Sequence, residues 1–111
     1  MEHAMALPLA AMMEDAARQQ LVLSRRLEGA RELLVYPLPA GSLLGIGVLP
    51  EHAHQIDPAA VLHRRGRNMA RYGAWLPALF DDGSLYVLRR CAGADAVPDG
   101  ALLAAQELLD A

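Results

Sequence analysis

The sequence predicts an α+β fold in which an antiparallel sheet of about five strands has its helices gathered on one side. Two apolar runs, 31–49 and 75–91, are each divided by a turn signal, Ala40-Gly41-Ser42 in the first and Asp82-Gly83 in the second. Runs divided in this way form hairpins. Apolar residues recur at helical spacing in the segments outside these runs. The expected element order is α-β-β-β-α-β-β-α, which is an α+β arrangement.

The first element is a predicted helix from about Ala4 to Ala17. Pro8 is tolerated because it lies near the beginning of the helix, where its missing N–H is not needed. Acidic and basic residues lie away from the centre of the apolar face. That face is formed by Leu9, Met12, Met13, Ala16 and Ala17.

The segment 19–27 allows two interpretations. Leu23 and Leu27 are four residues apart, as in a continued helix. Alternatively, Leu21, Leu23 and Arg25 alternate with their neighbours, as in a strand. We prefer the strand, because the Glu28-Gly29 pair that follows then provides a turn.

The first hairpin is predicted from strands at 33–36 and 43–49. Pro37 and Pro39 lack N–H donors on the same side of the chain, so that side is expected to face away from any neighbouring strand. Gly45 and Gly47 are two residues apart and therefore share one face of the second strand. They flatten that face, which allows a helix or another backbone to approach closely.

A central helix is predicted to begin at Pro58 and to run to about Tyr72. Asp57 is a capping residue, and proline is well suited to the first helical position. Gly66 in the middle costs about 1 kcal/mol relative to alanine. The helix is therefore expected to be interrupted there, or a neighbour is expected to pack closely against it.

The second hairpin joins strands at 75–80 and 85–91. Asp82-Gly83 is typical of a two-residue hairpin turn, since both residues adopt positive φ angles readily. Pro77 places the first of these strands at an edge or at a bulge. After a loop at 92–98, the last helix is predicted over 99–109.

Composition indicates a single domain, 1–111, that buries apolar surface against a partner. Apolar residues make up 54% of the 111 residues, and the mean hydropathy is +0.18. A domain of this size leaves much of its surface exposed, so it is not expected to shelter so much apolar material alone. The partner is either a second copy or a client polypeptide.

Charge and cysteine content favour a cytoplasmic, soluble protein. The net charge of −3 argues against a nucleic-acid binder. The single cysteine, Cys91, excludes an internal disulfide and favours a reducing compartment. No run of eighteen apolar residues is present, so no membrane span is expected. The first residues also lack the positive region of a secretory signal.

No residue cluster predicts catalysis, a cofactor or a metal site. His52 and His54 with Glu51 and Asp57 are the most metal-like group, but no further ligand has a recognised spacing, so a solvated polar loop is the better interpretation. Cys91 with His63 suggests a nucleophile and base, yet no nucleophile signature flanks the cysteine. The glycines of 41–47 match neither a phosphate loop nor a dinucleotide fingerprint.

Two further features allow both a binding and a structural interpretation. The basic run His63-Arg64-Arg65-Gly66-Arg67 suits phosphate or an acidic protein surface, but it equally suits a solvated helix face or ion pairs. The stripe formed by Leu9, Met12 and Met13 is core by default. Methionine also adapts its shape to varied partners, so a client-binding face is the alternative.

The element order resembles that of the class I secretion chaperones of bacterial type III export systems, and most closely the chaperone subunits of the secretion gatekeeper. The resembling segments are three strands from Leu21 to Val48, the helix 58–72, the hairpin 75–88 and the helix 101–109. The resemblance implies a small cytosolic dimer that holds the N-terminal segment of a secretion substrate in a non-globular form, without ATP or metal.

The resemblance also assigns residues to two surfaces. The central helix is expected to form the dimer interface through Val61, Leu62, Arg65, Met69, Tyr72 and Trp75. Client binding is expected at Leu9, Met12, Met13, Leu34, Tyr36 and Leu38. The arginines and the glycine of the central helix leave both a homodimer and a heterodimer with a related chaperone open.

Two other functions are compatible with the sequence. One is an assembly or regulatory subunit with an obligate protein partner and no role in export. The other is a small enzyme or ligand-binding domain with His63, Tyr72 or Cys91 in a pocket between sheet and helices. A concave pocket with convergent polar groups favours the enzyme, whereas a flat apolar patch favours protein binding.

Overall fold

The computed structural model describes residues 8–93 and 96–110, which form one five-stranded antiparallel sheet with helices. The strand order is β1-β2-β3-β5-β4, so the predicted α+β class is confirmed. In chain order the elements are α1 (Leu9–Gln19), β1 (Leu23–Leu27), β2 (Arg31–Leu38), β3 (Gly41–Val48), α2 (Pro50–Ala53), α3 (Pro58–Arg67), α4 (Met69–Tyr72), β4 (Leu76–Leu79), β5 (Leu85–Cys91) and α5 (Ala101–Leu109).

One face of the sheet forms the core. Side chains alternate along a strand, and the strand register places Leu33, Leu44 and Val87 on the same face, where all three are fully buried. The helices supply the rest of the same apolar cluster, including Met12 from α1 and Leu108 from α5. No strand residue of the opposite face belongs to this cluster within the described part of the chain. The helices therefore gather on one side, as the sequence predicts.

The segment after α1 resolves the ambiguity between helix and strand. Gln20 adopts a left-handed conformation (φ 54°, ψ 44°), and the N–H groups of Gln20 and Leu21 both donate to the carbonyl of Ala16, which ends the helix. The strand begins at Leu23, opposite Val35. Two residues further back the partner would be Pro37, which has no N–H to donate. The strand interpretation is thus confirmed for 23–27, whereas residues 4–7 of the predicted first helix lie outside the described residues.

The first hairpin forms as predicted, but its glycines have a different role from the one expected. β2 and β3 pair from Arg31–Val48 to Leu38–Gly41. An alanine Cβ at Gly47 would lie 2.3 Å from the ring of Tyr86. The space left by Gly47 is thus filled by an aromatic ring from the neighbouring strand, and not by a helix or another backbone.

The central helix begins as predicted but does not continue to Tyr72. The Asp57 carboxylate accepts a hydrogen bond of 3.0 Å from the N–H of Ala59, and Pro58 follows at the first position. α3 ends at Arg67, and Asn68 (φ −146°, ψ 71°) starts a separate turn, α4, by accepting from the N–H of Arg71. The prediction of one helix over 58–72 is therefore wrong. The break lies at a capping asparagine two residues after Gly66, and α2 was not predicted at all.

We expect Asp57→Ala to lower the free energy of unfolding by about 1 kcal/mol, because it removes the cap of α3. Urea denaturation followed by circular dichroism measures this loss. Asp81→Ala is the matched control, since Asp81 is an exposed loop residue, and its expected change is below about 0.5 kcal/mol. Equal effects of the two substitutions would contradict the capping role.

The second hairpin has a three-residue loop in place of the predicted two-residue turn. The N–H of Phe80 donates to the carbonyl of Ser84, and the N–H of Gly83 donates back to Phe80. Only Gly83 has a positive φ, 93°, as in a turn followed by one left-handed residue. The carboxylate of Asp82 accepts from both the N–H and the hydroxyl of Ser84, so the aspartate stabilises the loop instead of adopting a positive φ.

Candidate interaction surface

The second face of the sheet carries apolar side chains that no helix of the described residues covers. We call this surface the open face. Its position follows from the strand register, because the side chains concerned alternate with those of the core. It is formed by Ser24, Arg26, Glu32, Leu34, Tyr36, Leu38, Leu43, Tyr86, Leu88, Arg90, Leu76, Ala78 and the adjoining Phe80.

The apolar residues of the open face are contiguous and accessible. Leu34, Gly45, Leu88 and Leu76 occupy successive strands in one row across the sheet. The exposed fractions are 57% for Leu76, 47% for Tyr36 and 37% for Phe80. A monomer rarely leaves so continuous an apolar surface in water, and such a surface marks a site of interaction with another molecule.

Tyr86 gives the open face a fixed centre. Its ring lies over Gly47 and stacks on Phe80 with the ring centroids 4.8 Å apart. Its hydroxyl donates a hydrogen bond of 2.6 Å to Oε1 of Glu32. Burial, followed by this contact with Glu32, raises the pKa of Tyr86, so the hydroxyl remains a donor and the ring is held in place. The aromatic pair therefore forms a rigid apolar platform.

The two edges of the sheet differ in how open they are. β4 has four residues and contains Pro77, which confirms the predicted edge position of this strand. β1 has no proline, and it follows two exposed apolar residues, Leu21 and Val22. Short strands and prolines protect a sheet edge from pairing with other chains. β1 is therefore the edge better suited to accept an additional strand.

The residues predicted to bind a client lie on two opposite sides of the sheet. Leu34, Tyr36 and Leu38 belong to the open face. Met12 and Met13 are only 3% exposed and belong to the core, and Leu9 packs against it. The core interpretation of the methionine stripe is therefore the one that the structure favours, because the side chains of α1 cover the inner face of β2 and β3.

Most residues of the predicted dimer surface are not accessible to a partner. Val61, Tyr72 and Trp75 are buried in the core of the protein itself. Arg65 points inward, where its guanidinium donates to the carbonyls of Trp75 and Gly73 at 2.8 Å each. Leu62 and Met69, which are 56% and 52% exposed, remain accessible to a partner.

The residues considered for chemistry are not brought together. Cys91 is buried on β5, and burial raises the pKa of its thiol more than the nearby Arg89 lowers it. His63 and Tyr72 line a groove on the outer side of α3 and α4. His52 lies on the short helix α2 and not in a loop. Among the described residues, no three His, Cys, Asp or Glu side chains are close enough to hold one metal ion.

No family model, curated protein or solved structure matches this chain. Its function must therefore be argued from the surfaces described above. Within the described residues, no helix is both long enough and apolar enough to cross a membrane.

Of the apolar residues of the open face, sequence reasoning identified Leu34, Tyr36 and Leu38 and missed the others, although a signal was present. A sheet with one solvated face normally alternates apolar with polar residues. β2 and β5 instead carry apolar side chains in both alternating sets, as Leu33-Leu34-Val35-Tyr36 and Tyr86-Val87-Leu88 show. This double pattern indicates a sheet that is covered on both sides, and one of those covers is not supplied by the described chain.

Proposed function

We propose that the protein is a non-catalytic, ATP-independent chaperone of the cytoplasm. It binds the N-terminal segment of a type III secretion substrate or gatekeeper and keeps that segment competent for export. The observation that carries the proposal is the open face, a contiguous apolar surface on a sheet whose other side already holds a complete core. The resemblance in element order supplies the class of client.

The shape of the open face suits a polypeptide segment better than a small molecule. Small ligands are held in concave pockets with a few convergent polar groups. Here the accessible groups are Tyr36 on β2, Leu76 on β4 and Phe80 directly after β4, and β3, β5 and the platform of Tyr86 lie between them. A non-globular segment can lay its apolar side chains along these rows and add a strand at β1.

Dimer formation belongs to the same proposal. Leu62 on α3 and Met69 on α4 are exposed apolar residues on the helical side of the molecule, away from the open face. A second copy or a related chaperone that covers them would leave both open faces free for the client. Leu62→Glu with Met69→Glu is therefore expected to dissociate the dimer, as measured by sedimentation velocity.

Site-specific photo-crosslinking in the native host tests where the client binds. A benzophenone side chain placed at Tyr36 is expected to crosslink the first hundred or so residues of an exported protein, identified by mass spectrometry. The same probe at Leu103, a position on α5 that is at least as exposed as Tyr36, is the control. Crosslinking from Leu103 alone, or of no exported protein from Tyr36, would overturn the proposal.

A pair of charged substitutions tests the energetics. Tyr36→Glu with Leu76→Glu is expected to weaken binding of the captured segment at least about ten-fold, because two apolar contacts are lost and two charges are desolvated. Leu103→Glu is expected to leave the affinity within about two-fold. Cells that carry the double variant should also fail to export the client. Normal export with lost binding would favour the assembly subunit instead.

A further inference from the structure

The outer side of α3 and α4 carries a concentration of positive charge that the open face does not involve. Two adjoining grooves, of about 450 and 490 Å³, meet at Asn68. The basic residues that line them come from three elements, α3, α4 and β5. We call these residues the basic band: His63, Arg64, Arg67, Arg71 and Arg89.

Glu107 of α5 contacts two members of the basic band, one through its carboxylate and one through its main chain. Oε1 of Glu107 accepts from Nε of Arg71 at 2.8 Å and from the hydroxyl of Tyr72 at 3.2 Å. Arg64 reaches only the main-chain carbonyl of Glu107, at 3.0 Å. The hydrogen bond from Arg71 lowers the pKa of Glu107, so this carboxylate stays charged. Even so, it neutralises a single arginine.

Among residues 8–93 and 96–110, Arg71 is the member of the band that forms an ion pair with a carboxylate. Within the described residues, Arg67 and His63 make no hydrogen bond or ion pair, and both are exposed. Arg89 lies with its guanidinium 5.9 Å from the ring centroid of the buried Trp75. Asp99 is the acidic residue lining the same pair of grooves. With four arginines facing two carboxylates, the band is locally positive on a chain of net charge −3.

The helix dipole explains the positions of only some of the basic residues in the band. Cations in the last turn of a helix are favoured by the helix dipole, which covers Arg64 and Arg67 near the end of α3. Arg89 comes from a strand, where this effect does not act. The break at Asn68, which lines both grooves, starts α4, and Arg71 of α4 lines the groove of about 490 Å³. The convergence of the three elements is therefore a property of the fold.

We propose that the basic band binds an acidic segment of a partner polypeptide. Arginine guanidinium groups bind carboxylates through two parallel hydrogen bonds. Arg64 and Arg67 lie about one helical turn apart, which matches the spacing of acidic residues at i and i+4 of a partner helix. Nucleic acid fits less well. The net charge of −3 opposes a polyanion, and Tyr72 and Trp75 are too buried to stack on bases.

This surface lies on the helical side of the molecule, so it is tested separately from client binding at the open face. The probe is a fluorescein-labelled helical peptide with glutamates at i and i+4, measured by fluorescence anisotropy at low salt. Arg64→Ala with Arg67→Ala is expected to weaken binding about ten-fold. Arg18→Ala with Arg25→Ala removes the same charge from positions outside both surfaces and should change affinity less than about two-fold.

A substitution that is expected to strengthen peptide binding distinguishes a direct effect from a folding defect, because a folding defect would weaken binding. Glu107→Gln frees Arg71 and should strengthen peptide binding about three-fold. The proposal is overturned if the two double variants bind alike, or if Glu107→Gln has no effect. It is also overturned if a single-stranded oligonucleotide of the same net charge binds more tightly than the peptide. The same holds if inorganic phosphate, added at an equal concentration of negative charge, displaces the labelled peptide.

Discussion

Trp75→Ala is expected to lower the free energy of unfolding by about 3–4 kcal/mol, a large part of the total for a domain of this size. Trp75 is fully buried at the junction of α4 and β4, and it is the largest such side chain. Its indole N–H has no hydrogen-bond acceptor within the described residues, so the side chain contributes through the packing of its ring and not through a hydrogen bond. Thermal unfolding should show a midpoint lowered by roughly 12–30 °C.

A second substitution separates the contribution of ring packing from the cost of the unpaired indole N–H. Trp75→Phe keeps an aromatic ring and removes the unpaired N–H, so its loss should be less than half that of Trp75→Ala. Leu103→Ala on the exposed side of α5 is the control, with an expected change below about 0.5 kcal/mol. A loss under about 1.5 kcal/mol for Trp75→Ala would show that this residue is not central to the core.

Local chemistry made several elements predictable from the sequence. The start of α3 follows from Asp57 and Pro58, because a capping carboxylate and a proline act within one turn of the helix. The edge position of β4 follows from Pro77, since a missing donor excludes a second neighbour. These rules need only the nearest residues, and the structure agrees with them.

One feature that sequence reasoning missed, the end of α3, is local, whereas the other missed features depend on residues far apart in the chain. The end of α3 is set by the side chain of Asn68, which competes with the helix and caps α4 instead. The role of Gly47 depends on Tyr86, which lies 39 positions later and opposite it in the sheet. The basic band is assembled from α3, α4 and β5, and the carboxylate that pairs with Arg71 comes from α5. Spacing along one segment cannot show such contacts.

The two candidate surfaces lie on opposite sides of one sheet, and this arrangement follows from the distribution of apolar residues. α1, α3 and α5 bury the central residues of the inner face, so the accessible apolar side chains of the other set, such as Tyr36 and Leu76, are left for a partner. The helices in turn present their polar sides outward, where the arginines of α3 and α4 gather. A partner that uses both surfaces must therefore pass around an edge of the sheet.

Gly41→Ala is expected to destabilise the protein by about 3 kcal/mol. Gly41 has a φ of 107°, a conformation that side chains rarely adopt. An added Cβ would lie 2.2 Å from the carbonyl oxygen of Cys91. This oxygen belongs to the backbone, so relief requires that β3 and β5 separate at their ends, and overpacking adds to the conformational cost.

Gly66→Ala should have the opposite effect and serves as the matched partner of Gly41→Ala. Gly66 lies inside α3, is exposed, and has nothing within 4 Å of an added Cβ, so alanine should stabilise the helix by about 0.5–1 kcal/mol. Urea unfolding of both variants measures the two changes in the free energy of unfolding, which are expected to have opposite signs. A stabilised Gly41→Ala variant would mean that the end of the β2–β3 hairpin is not held against β5 as described.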